Sequence, residues 1–123
     1  MGKLDGRVAI VTGAARGLGA ASAAALCAEG AAVMLTDVLE EVEETAAALV
    51  AKGFKAAAMH HDVTSDDDWT KVVEATVKRF GDINVLVNNA GITIAATIDD
   101  ITMDDARPVM EINYFGPMRG IKA

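Results

Sequence analysis

The sequence predicts an α/β fold, a parallel β-sheet with helices on both of its faces. Short apolar runs rich in β-branched residues alternate along the chain with longer segments of helical pattern, which is typical of parallel strands joined by crossover helices. Glycines close the first two helical segments, as expected at helix C-termini. Hydrophobic residues make up 52% of the 123 residues, so residues 1–123 can build the core of a single domain.

The first half of the chain supplies two strands and two helices. Residues 7–12 (RVAIVT) form a continuous apolar run, which predicts a strand buried on both faces. Residues 17–30 form a helical segment that ends at Gly30, and residues 31–37 form the second strand. Residues 38–53 follow as an amphipathic helix, which completes a βαβα unit.

The second half continues this alternation. Residues 55–63 predict a third strand, of weaker propensity because alanine dominates it. Residues 65–81 predict a third helix, and residues 83–91 predict a fourth strand that runs into a loop. A capping box of Thr102 and Asp105 indicates a further helix from about that point onward. These elements predict a three-layer, Rossmann-type, doubly wound parallel sheet with the strand order 3-2-1-4.

The fourth predicted strand would lie at an edge of this sheet, although its residues are apolar on both faces. That pattern is typical of interior strands in parallel sheets. An apolar edge that no further strand covers can pair with another chain. We therefore expect a larger sheet than these residues form alone, and a homo-oligomer.

Charge and composition argue against several classes of function. Lysine and arginine number 11 and the acids 18, and the net charge of −7 argues against nucleic acid or an anionic membrane as a partner. Cys27 is the only cysteine, so no internal disulfide can form. His60 and His61 would point to opposite faces of a strand, so we expect no metal site. No signal peptide and no membrane span of about 20 residues are present in the pattern, and we expect a cytoplasmic protein.

A glycine-rich turn, VTGAARGLG at residues 11–19, joins the first strand to the first helix. Gly13, Gly17 and Gly19 permit a sharp turn, positive φ and close approach of the backbone to a ligand. The N–H groups that open the following helix, with the positive end of the helix dipole, can bind a pyrophosphate. No Gly-Lys-Ser/Thr follows, so a Walker-type nucleotide site is not indicated. The turn predicts a dinucleotide-binding site.

Asp37, at the end of the second predicted strand, bears on which nicotinamide dinucleotide binds. Its carboxylate can accept hydrogen bonds from the adenosine ribose hydroxyls and would repel a 2′-phosphate. The alternative interpretation is an acid that only begins a helix. Arg16 has the opposite effect, because a guanidinium can pair with a 2′-phosphate. We give Asp37 the greater weight and predict NAD rather than NADP as the cofactor.

The spacing of the turn, Thr12-Gly13-x-x-x-Gly17-x-Gly19, resembles that of the short-chain dehydrogenase/reductase family. It differs from the commoner G-x-G-x-x-G. Three further segments of the chain agree with the family in the expected order, and the resemblance covers essentially all 123 residues.

These three segments imply roles in cofactor binding and catalysis. The Asp-Val pair at 62–63 resembles the residues of the family that contact adenine, and NNAG at 88–91 resembles the stretch beside the nicotinamide ribose. Asn113, in MEINYFG, resembles the asparagine of the family's Asn-Ser-Tyr-Lys catalytic group. The cofactor-binding residues that the resemblance implies are Gly13, Arg16, Gly17, Leu18, Gly19, Asp37, Val38, Asp62, Val63, Asn89, Ala90 and Gly91.

The resemblance implies an NAD-dependent oxidoreductase that acts on a small-molecule alcohol or ketone. Hydroxysteroid-like compounds and other apolar secondary alcohols are the candidate substrates. In the family, a tyrosine that transfers the proton and a lysine lie four residues apart on one helix, and a serine orients the carbonyl.

That catalytic pair is absent from these residues. Tyr114 is the only tyrosine, Met118 lies four residues after it, and Lys122 lies eight after it, about 12 Å along a helix. The sequence therefore resembles only the N-terminal, cofactor-binding half of the family, and we expect it to be inactive alone. The alternative to part of an enzyme is a non-catalytic dinucleotide-binding module.

Overall fold

Four strands and four helices alternate along the part of the chain that the structure describes. The computed structural model of the protein describes residues 2–90 and 116–122. In chain order, the elements within these residues are β1 (Val8–Thr12), α1 (Gly17–Ala28), β2 (Ala32–Asp37), α2 (Glu41–Ala51), β3 (Ala56–His60), α3 (Asp66–Phe80), β4 (Val85–Val87) and α4 (Gly116–Lys122).

The four strands form one parallel sheet in the order β3-β2-β1-β4, so the predicted order 3-2-1-4 is confirmed. Thr12 of β1 is level with Thr36 of β2, and Asp37 is level with His60 of β3. On its other side, β1 pairs with β4, where Val11 is level with Val87. Because all four strands run the same way, their carboxyl ends meet at one edge of the sheet.

Helices cover both faces of the sheet, because the side chains of each strand alternate between two apolar clusters. Val11 and Leu35 pack in one cluster with residues of α1 and α2. Ile10 and Met34 pack in the second cluster with Val72 of α3. Every residue of β1 is buried, as its continuous apolar pattern predicts. The three-layer architecture is therefore confirmed.

Several elements are shorter than predicted, and local side-chain bonds explain two of the differences. Asp37 accepts a hydrogen bond from the N–H of Leu39, so the chain turns after β2 and α2 begins only at Glu41. Asp62 accepts from the N–H of Thr64 in the same way, which turns the chain soon after the end of β3. Such local bonds compete with regular backbone pairing.

Strand β4 is also shorter than predicted. It has three residues, all partly buried, and it pairs only with β1 in the part of the chain that the structure describes. The helix predicted from Thr102 onward lies mostly outside the described residues, which include only its portion at Gly116–Lys122. None of the helices within residues 2–90 and 116–122 has the length and apolar character needed to cross a membrane.

Trp69 joins α3 to its neighbours in the core. Its side chain is 1% exposed, and its indole N–H donates to the carbonyl of Val63 at 2.9 Å. Helix α4 approaches the same ring through Gly120, where an added Cβ would lie 2.4 Å from the Cη2 atom of Trp69. The backbone of α4 therefore packs against the indole without any intervening side chain.

We expect Gly120→Ala to lower the free energy of unfolding. Alanine favours a helix over glycine by about 1 kcal/mol, so the substitution would stabilise α4 if the helix were free. Overpacking against a buried ring costs about 1–3 kcal/mol, and the Trp69 side chain is almost fully buried. Ile121→Ala, at a neighbouring position that is 74% exposed, is the control. Urea denaturation that shows a more stable Gly120→Ala variant would contradict this packing.

Candidate functional site

A cleft of about 330 Å³ opens at the carboxyl edge of the sheet. Its walls come from the turn after β1 and from the segments that follow β2, β3 and β4. The residues that line it are Gly13, Arg16, Asp37, Val38, Leu39, His61, Asp62, Val63, Asn89 and Ala90. Eight of these ten belong to the cofactor-binding residues expected from the sequence, and Leu39 and His61 are additions.

The three glycines of the turn serve different purposes. Gly13 and Gly17 have φ of 63° and 62°, in the left-handed region that L side chains rarely adopt. A Cβ on Gly19 would lie 2.1 Å from the carbonyl oxygen of Gly13, so Gly19 allows α1 to approach β1 closely. A Cβ on Gly17 would meet nothing within 4 Å. Gly17 therefore leaves open space beside the start of α1.

Strand β2 holds the turn from one side. The N–H of Ala14 donates to the carbonyl of Thr36 at 3.0 Å. The N–H of Ala15 donates to Oδ2 of Asp37, also at 3.0 Å. The turn is thereby fixed to the last two residues of β2.

The segment after β4 holds the turn from the other side. The side-chain amide of Asn89 donates to the carbonyl of Gly13 at 3.1 Å. The Thr12 hydroxyl accepts the N–H groups of Asn89 and Ala90, both at 3.1 Å, and lies 3.4 Å from the carbonyl of Val87. A Cβ on Gly13 would lie 2.9 Å from Cα of Ala90, so the two segments touch backbone to backbone.

The N-terminus of α1 lacks the cap that α3 has. Arg16 precedes α1 without a side-chain cap, and the first turn of α1 contains no acid. The N–H groups of residues 17–19 are therefore available to an acceptor. In α3, by contrast, the Ser65 hydroxyl accepts the N–H of Asp68, and acids occupy residues 66–68 of its first turn. The first turn of α1, which faces the cleft, thus contains neither a capping side chain nor an acid of its own.

Asp37 and Arg16 make different contacts at the cleft. The Asp37 carboxylate accepts from the N–H of Ala15 through Oδ2 and from the N–H of Leu39 through Oδ1. Each carboxylate oxygen can accept a second bond, so this acid begins the next loop and still presents acceptors to a ligand. The Arg16 guanidinium is 72% exposed and lies 3.5 Å from the Glu41 carboxylate.

Asp62 and Val63 present an acceptor beside a donor. Two hydrogen bonds from Thr64 hold the pKa of Asp62 below its usual value. The bond from the Thr64 hydroxyl has the larger effect, and the bond from its N–H the smaller. Both bonds go to Oδ1. In the part of the chain that the structure describes, Oδ2 of Asp62 and the N–H of Val63 have no partner within the protein. This pair is suited to a ligand edge that has one donor and one acceptor side by side.

Comparison with known proteins agrees with this geometry. A sequence profile of the family described as short chain dehydrogenase matches residues 7–123. The chain belongs to the short-chain dehydrogenase family. A solved short-chain dehydrogenase from Mycobacterium smegmatis superimposes with a TM-score of 0.95 at 33% identity, covering 99% of this chain and 52% of that one.

Two curated relatives show the range of activities named within this family. A 3-alpha-(or 20-beta)-hydroxysteroid dehydrogenase of Mycobacterium bovis is 42% identical over 122 residues, which are 99% of this chain and 46% of the relative. An NADP-dependent (R)-specific alcohol dehydrogenase of Lentilactobacillus kefiri is 35% identical over 124 residues, covering 98% and 49% respectively. The chain spans about half the length of these relatives.

Some of the residues that the sequence predicts at the site lie outside the described residues or outside the cleft lining. Gly91 and the candidate catalytic residue Asn113 lie outside the described residues, as does Tyr114. Gly17, Leu18 and Gly19 adjoin the cleft at the start of α1, and the Leu18 side chain is 80% exposed. The roles of all these residues in cofactor binding stay predictions.

His61 lines the cleft although no sequence pattern predicts it there. His61 is 2% exposed, its Nδ1 lies 2.8 Å from the Thr36 hydroxyl, and its ring meets Trp69 edge-on with centroids 4.2 Å apart. Among the described residues, no protein atom forms a hydrogen bond with its Nε2. His60 is 69% exposed, as expected for neighbours on opposite faces of a strand. Within residues 2–90 and 116–122, no group of three or more potential metal ligands is arranged to hold an ion.

Burial lowers the pKa of His61 from 6.5 to about 4, although the Asp68 and Asp62 carboxylates favour its cation. The unfolded chain therefore binds a proton below pH 6.5 that the folded chain does not bind. We expect the free energy of unfolding to fall by roughly 2 kcal/mol from this group between pH 7 and pH 5. Above pH 7 the same group should have no effect.

Urea denaturation of His61→Leu at pH 7 and pH 5 tests this expectation. In this variant, the free energy of unfolding should differ much less between the two pH values, because a leucine cannot take up a proton. His60→Gln removes an exposed histidine from the adjacent position and should keep the difference. An equal pH dependence in His61→Leu and the unmodified chain would contradict a neutral, buried His61.

Proposed function

We propose that this short-chain dehydrogenase chain forms the NAD-binding unit of an oxidoreductase that interconverts a secondary alcohol and a ketone. The observation that carries the proposal is the start of α1 at Gly17, which has no side-chain cap and lies at the carboxyl edge of a parallel sheet. Ligands of open α/β sheets bind at this edge, next to the first strand and helix. All 123 residues would belong to one cofactor-binding unit.

The space beside Gly17 suits a pyrophosphate. The first turn of α1 offers backbone N–H groups without a capping side chain or an acid. Nothing within 4 Å would contact a Cβ at Gly17, so the ligand could approach the backbone there. In a chain with a net charge of −7, a helix start without acids favours an anionic ligand over a neutral one.

The Asp62 and Val63 pair suits adenine. The 6-amino group of adenine donates hydrogen bonds and the adjacent N1 accepts one. Oδ2 of Asp62 can accept from the amino group, and the N–H of Val63 can donate to N1. Thr64 fixes the Asp62 carboxylate and keeps it ionised, which favours its acceptor role.

Asp37 supports NAD over NADP. Family membership alone leaves this choice open, since one relative is named as NADP-dependent. The Asp37 carboxylate lines the cleft and retains acceptors for ribose hydroxyls, whereas a 2′-phosphate would bring a second negative charge beside it. Arg16 could offset that repulsion, but its guanidinium contacts Glu41.

The bound cofactor would supply the hydride acceptor or donor, and the residues of this chain would bind and orient it. Asn89 would help to bind the nicotinamide end of the cofactor. Its side-chain amide also donates to the carbonyl of Gly13, which holds Asn89 beside the turn. We infer an apolar secondary alcohol or its ketone as the substrate, since one relative is named a hydroxysteroid dehydrogenase and another an alcohol dehydrogenase.

A non-catalytic dinucleotide-binding module is the second candidate, and one sequence observation favours it. The only tyrosine, Tyr114, is followed four residues later by Met118 rather than by lysine. A carbonyl reduction needs a group that delivers a proton, and general acid–base help of this kind contributes about 10²–10⁴-fold. Binding without turnover is therefore what we expect of these 123 residues alone.

We expect the chain to bind NADH about tenfold or more tightly than NADPH, because hydrogen bonds to a charged carboxylate would hold the ribose hydroxyls. Isothermal titration with both dinucleotides measures the difference. Asp37→Asn should reduce this difference in affinity. The asparagine keeps a side-chain oxygen that can accept the N–H of Ala15. Glu43→Gln, an exposed acid of α2 with the same charge change, should leave it unaltered. Equal affinities in the unmodified chain would contradict the proposed preference.

We also expect no useful turnover of alcohols or ketones by these 123 residues. The physical reason is the missing Tyr-x-x-x-Lys pair that would transfer the proton. A single-turnover assay with NADH and a panel of ketones, followed by cofactor absorbance, measures this. Stoichiometric oxidation of NADH that is lost in Tyr114→Phe would show that the tyrosine acts without its lysine and would contradict the expectation.

A further inference from the structure

Thr45, on α2, contacts the glycine-rich turn although it does not line the cleft. Its hydroxyl lies 2.5 Å from the carbonyl oxygen of Ala15 and 3.1 Å from that of Glu41. A hydroxyl has one proton, so it cannot donate fully to both. The shorter distance identifies Ala15 as the main acceptor. The residues are 30 apart in sequence, and the bond links α2 directly to the turn.

This bond completes the fixation of Ala15. The peptide group before Ala15 is held by Asp37, which accepts the Ala15 N–H at 3.0 Å. The peptide group after Ala15 is held by Thr45 through the Ala15 carbonyl. Two anchored peptide planes on either side of one residue fix its φ and ψ. The path of the chain into Arg16 and Gly17 is therefore set by residues of β2 and α2.

The direction of the next N–H group follows from the same bond. In a trans peptide, the N–H of one residue points opposite to the carbonyl of the residue before it, and the described chain contains no cis peptide. Holding the Ala15 carbonyl toward α2 therefore turns the Arg16 N–H away from α2. Arg16 has an extended backbone, with φ of −159° and ψ of 177°, and leads directly into Gly17.

We propose that Thr45 is a positioning residue for the dinucleotide: by holding the Ala15 carbonyl, it keeps the start of α1 in the shape that binds a pyrophosphate. This inference rests on the proposed function of the cleft. Without the Thr45 hydroxyl, the peptide between Ala15 and Arg16 can rotate in the free protein. Ordering it again would then reduce the affinity for the cofactor.

Thr70 of α3 offers a matched control for the test. Its hydroxyl also bonds to the carbonyl four residues earlier in its helix, that of Asp66 at 3.2 Å, as Thr45 bonds to Glu41. No hydrogen bond links the Thr70 side chain to another element of the described structure. Thr45→Val and Thr70→Val thus make the same chemical change, with and without loss of a contact to the turn.

The experiment measures NADH affinity for the full chain and for the Thr45→Val, Thr45→Ser and Thr70→Val variants by isothermal titration, at a temperature where circular dichroism shows each to be folded. We expect the dissociation constant of Thr45→Val to rise by about 3–10-fold, the range that one hydrogen bond contributes to an equilibrium. Thr45→Ser should restore most of the affinity, because serine keeps the hydroxyl. Thr70→Val should match the unmodified chain.

Two outcomes would overturn the proposal and are distinguishable from each other. If the unmodified chain binds neither NADH nor NADPH, the proposed function fails and the role of Thr45 fails with it. If the unmodified chain binds NADH and Thr45→Val binds as well as Thr70→Val, the positioning role alone is wrong. If Thr45→Val folds poorly, Thr45→Ala provides the same comparison. Alanine also lacks the hydroxyl and has a high helix propensity.

Discussion

The structure of the site depends on one constraint: the turn after β1 has to be sharply bent, open to a ligand and yet rigid. Glycine permits the bend but gives no rigidity, because it gains conformational freedom by lacking a Cβ. The rigidity comes from the neighbouring segments, which hold the turn from both sides. Thr36, Asp37 and Thr45 bond to it from β2 and α2, and Asn89 bonds to it from the segment after β4.

The parallel sheet is what brings these groups together. β1 lies between β2 and β4, and the carboxyl ends of all three strands lie at one edge. Polar residues at those ends, such as Thr12 and Thr36, are almost fully buried and find partners only because the neighbouring strands end level with them. Buried polar groups require partners, so the register of the sheet and the shape of the turn are mutually dependent.

The sequence predicts the order of the elements and most of the cleft, because both follow from local pattern. Continuous apolar runs identify the strands, and the glycine spacing identifies the turn. Boundaries are less predictable: the side-chain bond at Asp37 goes with a later start of α2 than predicted, and the bond at Asp62 goes with an earlier end of β3. The contacts of Thr45 and His61 are not predictable, because they join residues 30 and 25 positions apart and no local signal marks them.

We propose that a dinucleotide binds at the carboxyl edge of the sheet, on the turn after β1. A second cleft, at the amino ends of the strands, is lined by Arg7, Lys55 and Arg79 and is the competing place for an anionic ligand in this acidic chain. Titration of ¹⁵N-labelled protein with NADH, followed by amide chemical shifts, distinguishes the two. We expect the largest saturable shifts at residues 13–19 and none at the second cleft. Shifts confined to the second cleft, or no saturable shift at residues 13–19, would contradict it.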